Sequence, residues 1–84
     1  MVAEDNKLNM EIAVTLLEME GFQLETVQNG KAALELYLKK EPYYFDAILM
    51  DIQMPIMNGL EATKAIRLSQ KKDARTIPIN CHDR

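Results

Sequence analysis

The stretch Phe45-Asp46-Ala47-Ile48-Leu49-Met50-Asp51 decides the fold. Residues 47–50 form a continuous apolar run of strand length, stopped abruptly by an acid, and such a run reads as a strand buried on both faces. Strands of that kind belong to parallel sheets covered by helices, so strand and helix should alternate on either side. Upstream, Ala33, Leu34, Tyr37 and Leu38 share one side of a helix over residues 31–40, closed near Pro42 and preceded by an Asn29-Gly30 turn. Residues 22–28 are mixed and partly alternating, which suits a half-exposed edge strand. Before them Leu8, Ile12, Leu16 and Met19 recur at helical spacing, with Ala13 and Leu17 widening the stripe and Glu11, Glu18 and Glu20 off it. Asp5 or Asn6 can cap this helix and Gly21 can stop it. Met1-Val2-Ala3 is a strand stub ending at Glu4-Asp5. Downstream, Asn58-Gly59 opens a third helix through about Leu68, a polar linker spans residues 69–75, and residues 77–79 begin a further strand.

With 84 residues, 48% of them hydrophobic, the chain is one packed domain or less. Ten Lys and Arg against thirteen Asp and Glu leave a net charge of −3, which argues against a nucleic-acid footprint or a basic membrane-binding surface. No apolar run approaches the ~18 residues of a membrane span, and no basic flank leads into a signal core, so the chain reads as cytoplasmic. One cysteine, Cys81, and one histidine, His82, exclude an intramolecular disulfide and a zinc site of the usual spacing. Both lie near the end of the chain and are assigned no chemistry. Met50, Met54 and Met57 are assigned to packing, and Tyr37, Tyr43 and Tyr44 are too separated to form a base-stacking platform.

In an open parallel sheet, ligands gather outside the carboxyl ends of the strands, where Glu4, Asp5 and Asp51 stand. Singly, Asp5 suits a helix cap, Glu4 a solvated charge and Asp51 a turn. If the first strand and the 47–50 strand are neighbours, the three carboxylates meet and repel unless a hard cation shares their charge. Magnesium is the natural relief, because it takes oxygen ligands and pairs one or two carboxylates with phosphate oxygens.

Val2-Ala3-Glu4-Asp5-Asn6, Asn29-Gly30 and above all Leu49-Met50-Asp51-Ile52-Gln53-Met54-Pro55-Ile56-Met57-Asn58-Gly59 resemble the receiver domain of two-component response regulators. The wording is most similar to receivers attached to hybrid sensor histidine kinases. The resemblance implies a flavodoxin-like, doubly wound α/β fold with strand order 2-1-3-4-5. Here that fold is incomplete: strands one to four and helices one to three are present, while strand five and helices four and five are missing. Residues 1–79 are then a partial receiver and residues 80–84 a tail outside the family pattern. By the same resemblance Asp51 accepts a phosphoryl group from a kinase phosphohistidine, without enzymatic action on a separate substrate. Asp5 is the acidic ligand of Mg2+, Glu4 its partner acting largely through water, and Gln53 contributes its backbone carbonyl. The partners implied are a sensor histidine kinase or a phosphotransfer protein, with no nucleic acid.

Receivers also carry a hydroxyl residue ending strand four and a lysine ending strand five, and neither is found. Where a sequence such as Ile-Ala-Met-Thr-Ala is expected after Ile79, the chain reads Asn80-Cys81-His82-Asp83-Arg84. A single inserted base converts codons for the first into codons for the second, so a frameshift is expected, with the rest of the receiver encoded in another frame. Without a last helix, the first helix alone covers one face of the sheet. Apolar positions among residues 47–50 and 77–79 should then be exposed, and the chain should self-associate or pack loosely. Two other readings compete. A magnesium-dependent phosphohydrolase is weakened by Gln53, where such enzymes place a second aspartate; a non-catalytic interaction fragment or inactive gene remnant is the other. A flavin-binding reading fails for want of a Ser/Thr/Gly-rich phosphate loop after the first strand.

Overall fold

Each helix begins behind an asparagine. In the computed structural model, which describes residues 1–82, α1 (Lys7–Met19), α2 (Gly30–Lys39) and α3 (Gly59–Leu68) follow Asn6, Asn29 and Asn58. Their side-chain oxygens accept from the backbone N–H of Asn9 (2.9 Å), Ala32 (2.7 Å) and Glu61 (2.8 Å). The Glu61 carboxylate accepts in turn from the Asn58 N–H at 3.1 Å, closing a capping box. Each such cap stabilises its helix by about 1 kcal/mol. At the other end of α1, Gly21 takes φ 91°, and the N–H groups of Gly21 and Phe22 return to the last-turn carbonyls of Glu18 and Leu17.

The strands β1 (Val2–Ala3), β2 (Thr26–Val27), β3 (Ile48–Asp51) and β4 (Ile79–His82) form one parallel sheet in the order β2-β1-β3-β4. This is the expected doubly wound arrangement. Val2 pairs with Leu49 and Ala3 with Met50, and the two-residue period sorts the faces. Met1, Ala3, Ile48 and Met50 pack with Ala33 and Tyr37 of α2 and with Ala62 and Ile66 of α3. Val2 and Leu49 turn to the opposite face, where they line a cavity of about 370 Å³ with Ile12, Ala13, Leu16 and Leu17 of α1.

The two faces are therefore unequal. The run over residues 47–50 is not buried on both sides: Ile48 and Met50 are fully buried, Leu49 is half-buried and Ala47 is exposed. The exposure expected of the sheet is met in part: Ala47 and Pro78 are exposed, Ile79 is half-buried and Ile77 is buried. Larger apolar side chains are exposed on α1, where Leu8 is 63%, Ile12 51% and Leu16 59% exposed. Two helices dry one face, and one helix half-covers the other.

Two strands differ from expectation in length or place. β2 occupies Thr26–Val27 rather than residues 22–28, because an edge strand can pair only as far as its partner extends, and β1 is two residues long. β4 begins at Ile79 rather than at residue 77. The Ile77 N–H is spent on the Asp73 carbonyl, Pro78 has no N–H, and its carbonyl accepts from Ile48 at 2.9 Å before the regular ladder starts. Asn80, Cys81 and His82, read as tail, thus lie inside the sheet, while Asp83 and Arg84 lie outside the described residues.

The polar linker over residues 69–75 hides a buried clamp. Asp73 is 2% exposed, accepting from the Tyr37 hydroxyl (2.6 Å) and from the backbone N–H of Tyr43 (3.0 Å), itself held at φ 66°. The Lys71 ammonium sits 4.0 Å from the Tyr37 ring centroid and donates to the Tyr37 carbonyl. Burial pushes the Asp73 carboxyl up, but the bonds from Tyr37, Tyr43 and its own turn, with the Lys71 charge, outweigh it and hold the carboxyl below its ordinary range. Burial, then the bond to Asp73 and its charge, push the Tyr37 hydroxyl well above its ordinary value. Among the described residues, no helix is long and apolar enough to cross a membrane.

Two outcomes are expected. Asp73 stabilises the fold above its ordinary value of 3.8, and that contribution is lost as pH falls through the lower folded value. The Tyr37 contribution is full below 10.0 and is lost as pH rises through the raised folded value. Tyr37→Phe should cost about 2 kcal/mol at neutral pH and flatten the acid-side loss; urea melts of both forms across the acid range measure it, and equal acid slopes would uncouple the pair. The second concerns Gly59, where an added Cβ would lie 2.2 Å from the Asp51 carbonyl oxygen. Gly59→Ala should destabilise by about 2–3 kcal/mol, read as a lowered urea midpoint; an unchanged midpoint would show that α3 shifts freely.

Candidate functional site

Three strands end at one level. The register that pairs Ala3 with Met50 sets Glu4 beside Asp51, and the register of β3 with β4 pairs Asp51 with His82. Asp51 is completely buried and Glu4 is 4% exposed, whereas the His82 side chain is 40% exposed. His82 Nε2 lies 3.9 Å from Glu4 Oε1, and one donor atom from each of Glu4, Asp51 and His82 falls within 4.8 Å of the other two.

Short backbone bonds hold the carboxylates in place. Glu4 donates its N–H to the Val27 carbonyl (3.0 Å), and its Oε2 accepts from the Asn6 N–H (3.1 Å), so the residue that caps α1 also fixes the acid. Asp51 Oδ1 accepts from the Gln53 N–H at 3.2 Å. Beyond Asp51 the chain is pinned at both ends: Ile52 donates to the His82 carbonyl (2.9 Å) and accepts from Gly59 (2.8 Å), while Gly30 donates to Met57 (2.8 Å). Between these points Met57 donates to Pro55 at 2.7 Å across Ile56 at φ 70°, a γ-turn of the strained hand. Met54 is buried beneath the loop.

Of the residues expected from sequence, Glu4 and Asp51 converge. Asp5, one position on, is exposed, and Gln53 is exposed apart from the N–H it lends to Asp51. Glu4 is buried and Asp5 exposed, a distinction that composition and spacing leave open. His82 stands near the end of the sequence with no motif around it, and only its register with Asp51 brings it to the site, which residue periodicity does not contain. The donor set suits a divalent cation: two carboxylates removed from water are unfavourable as bare charges, and oxygen donors are what a hard ion takes.

The family profile for the response regulator receiver domain matches residues 1–83. The chain is 47% identical to the hybrid signal transduction histidine kinase I of Dictyostelium discoideum, a match covering 94% of this chain and 5% of that protein. It is 40% identical to the polar-differentiation response regulator DivK of Brucella anthropi, over 94% of this chain and 60% of the relative. Among solved structures, the receiver domain of a sensor histidine kinase from Pseudomonas aeruginosa PAO1, with a magnesium ion coordinated in its active site cleft, superposes with TM-score 0.84 at 30% identity, covering 95% of this chain and 62% of that one. The chemotaxis response regulator CheY4 of Vibrio cholerae follows at TM-score 0.81 and 28% identity, over 95% and 61%. The chain thus spans less than two thirds of these relatives, and with the family profile matching residues 1–83 it belongs to the response regulator receiver domain family.

Proposed function

We propose that the chain is a cytoplasmic phosphoacceptor of a two-component phosphorelay, taking a phosphoryl group onto Asp51 from the phosphohistidine of a sensor histidine kinase or phosphotransfer protein, with Mg2+ as cofactor. One observation carries the reading: a fully buried carboxylate ends β3 level with a second buried carboxylate, Glu4, in a chain of this family. Asp51, Asp5, the Gln53 carbonyl and, largely through water, Glu4 would hold the ion. When bound, it neutralises charge on the transferring phosphoryl oxygens. An Asp51 oxygen attacks phosphorus as the P–N bond breaks, the bonding pair leaving with the donor imidazole. The Gln53 N–H on Oδ1 orients the carboxylate for in-line attack. The hydroxyl that the family resemblance places at the end of strand four falls at sequence position 83, where this chain has Asp83. Losing one group that stabilises the transferring charge slows such steps by ~10²-fold, so transfer is slow.

Incubation with a small phosphodonor and Mg2+, followed by intact mass measurement, should add one phosphoryl group to the wild type and none to Asp51→Asn. Equal labelling of both would remove Asp51 from the chemistry.

We also propose that copies of the chain associate on the α1 side, since exposed Leu8, Ile12 and Leu16 flank a half-covered face beside β4, an edge strand of the sheet among the described residues. Light scattering after size exclusion should give masses above the 9.6 kDa monomer that fall towards it in Leu16→Glu. A wild-type monomer at every concentration would exclude this.

A further inference from the structure

The pocket contains a nitrogen that the phosphoacceptor reading does not use. His82, the chain's one histidine, is held by its register with Asp51 and by its carbonyl, which accepts from the Ile52 N–H at 2.9 Å. Its Nε2 faces Glu4 Oε1 at 3.9 Å, too far for a hydrogen bond. A half-exposed contact of that length adds little and leaves the convergence of three donors unexplained.

We propose that Glu4, Asp51 and His82 form a mixed nitrogen–oxygen site that binds late first-row divalent ions, the class of Co2+, Ni2+ and Zn2+, more tightly than Mg2+, with His82 Nε2 as a direct ligand. The proposal rests on reading this pocket as a cation site and adds which ion it favours. Magnesium demands oxygen ligands and sheds water reluctantly, so an imidazole at the rim brings it little. Late divalent ions gain from exchanging a water for imidazole nitrogen, and their affinity rises along the series from Mn2+ to Cu2+. Ligand distances of about 2.1 Å place neighbouring donors about 3.0 Å apart in an octahedron and about 3.4 Å in a tetrahedron. Donor atoms already within 4.8 Å reach that spacing by small side-chain rotations. The two carboxylates are nearly or fully buried and the imidazole is partly open, so an ion enters past His82. Three protein ligands leave positions for water or a phosphoryl oxygen. Cys81, the neighbouring soft donor, points the other way, its Sγ 3.1 Å from the Thr63 hydroxyl.

The test is calorimetric titration of the untagged chain with Co2+ and with Mg2+, alongside proton NMR of its single imidazole. Wild type should bind Co2+ at least ~10-fold more tightly than Mg2+, and Co2+ should move the His82 ring resonances far outside their diamagnetic range. His82→Gln should lose ~10-fold or more of the Co2+ affinity while Mg2+ affinity stays within ~2-fold. Cys81→Ser should leave both affinities unchanged, and Asp51→Asn should weaken both ions. Unshifted imidazole resonances at saturating Co2+, undiminished Co2+ affinity in His82→Gln, or loss of Co2+ affinity in Cys81→Ser would each overturn the inference. The NMR arm decides on wild type even if a variant fails to fold. Mg2+ affinity unchanged in Asp51→Asn would instead overturn the underlying reading of the pocket.

Discussion

Two residues of β1 set the site. Val2 and Ala3 pair with Leu49 and Met50, and that register alone brings Glu4 level with Asp51. A slip of one residue would turn Val2 into the dry face and Ala3 out of it, exchanging every side chain between faces. The dry face resists such a slip, because Met1, Ala3, Ile48 and Met50 meet α2 and α3 in one cluster. The Leu49 N–H on the Met1 carbonyl (2.9 Å) and the Glu4 N–H on Val27 (3.0 Å) tie β1 on either side. Hydrophobic packing on one face thus aligns carboxylates at the edge of the sheet.

The other end of the molecule also reaches the site. Asp73 joins Tyr37 of α2 to the turn at Tyr43, and its carbonyl takes the Ile77 N–H, which delays the ladder until Ile79. From that starting point β4 advances in register with β3 until His82 stands opposite Asp51. Starting the ladder at residue 77 without moving β3 would bring Asn80 opposite Asp51, replacing an imidazole by an amide. A buried acid remote from the pocket therefore helps decide which side chain borders it.

The three helices, the central strand and the acidic strand ends were legible because each is written locally: an asparagine cap, an apolar period, a glycine stop, or an apolar run cut off by Asp51. The strand order came only with the family resemblance, since pairing partners lie far apart in sequence. What stayed hidden has a common cause. The length of β2, the start of β4, the burial of Asp73 and the place of His82 are all set by partners across the fold, and a window of neighbouring residues does not contain them. The same holds for Glu4 and Asp5, alike in chemistry and separated by their burial. The dry core was legible in composition, but its one-sidedness was not, because the sequence pattern of α1 is amphipathic whether or not its apolar stripe finds cover.

The sheet is fully dried on one face only. Two buried carboxylates at the edge of that sheet tax the fold whenever both are ionised without a counter-charge. An ion bound only by the folded state returns stability by mass action: at ten times its dissociation constant it contributes about 1.4 kcal/mol, as much as a good helix cap. In the proposed site, the ion that binds most tightly is also the one that most raises the folded population at a given concentration. Metal choice and folding are then one equilibrium, and His82 enters it through the ligand it offers, just as Tyr37 and Asp73 enter through the strand they place.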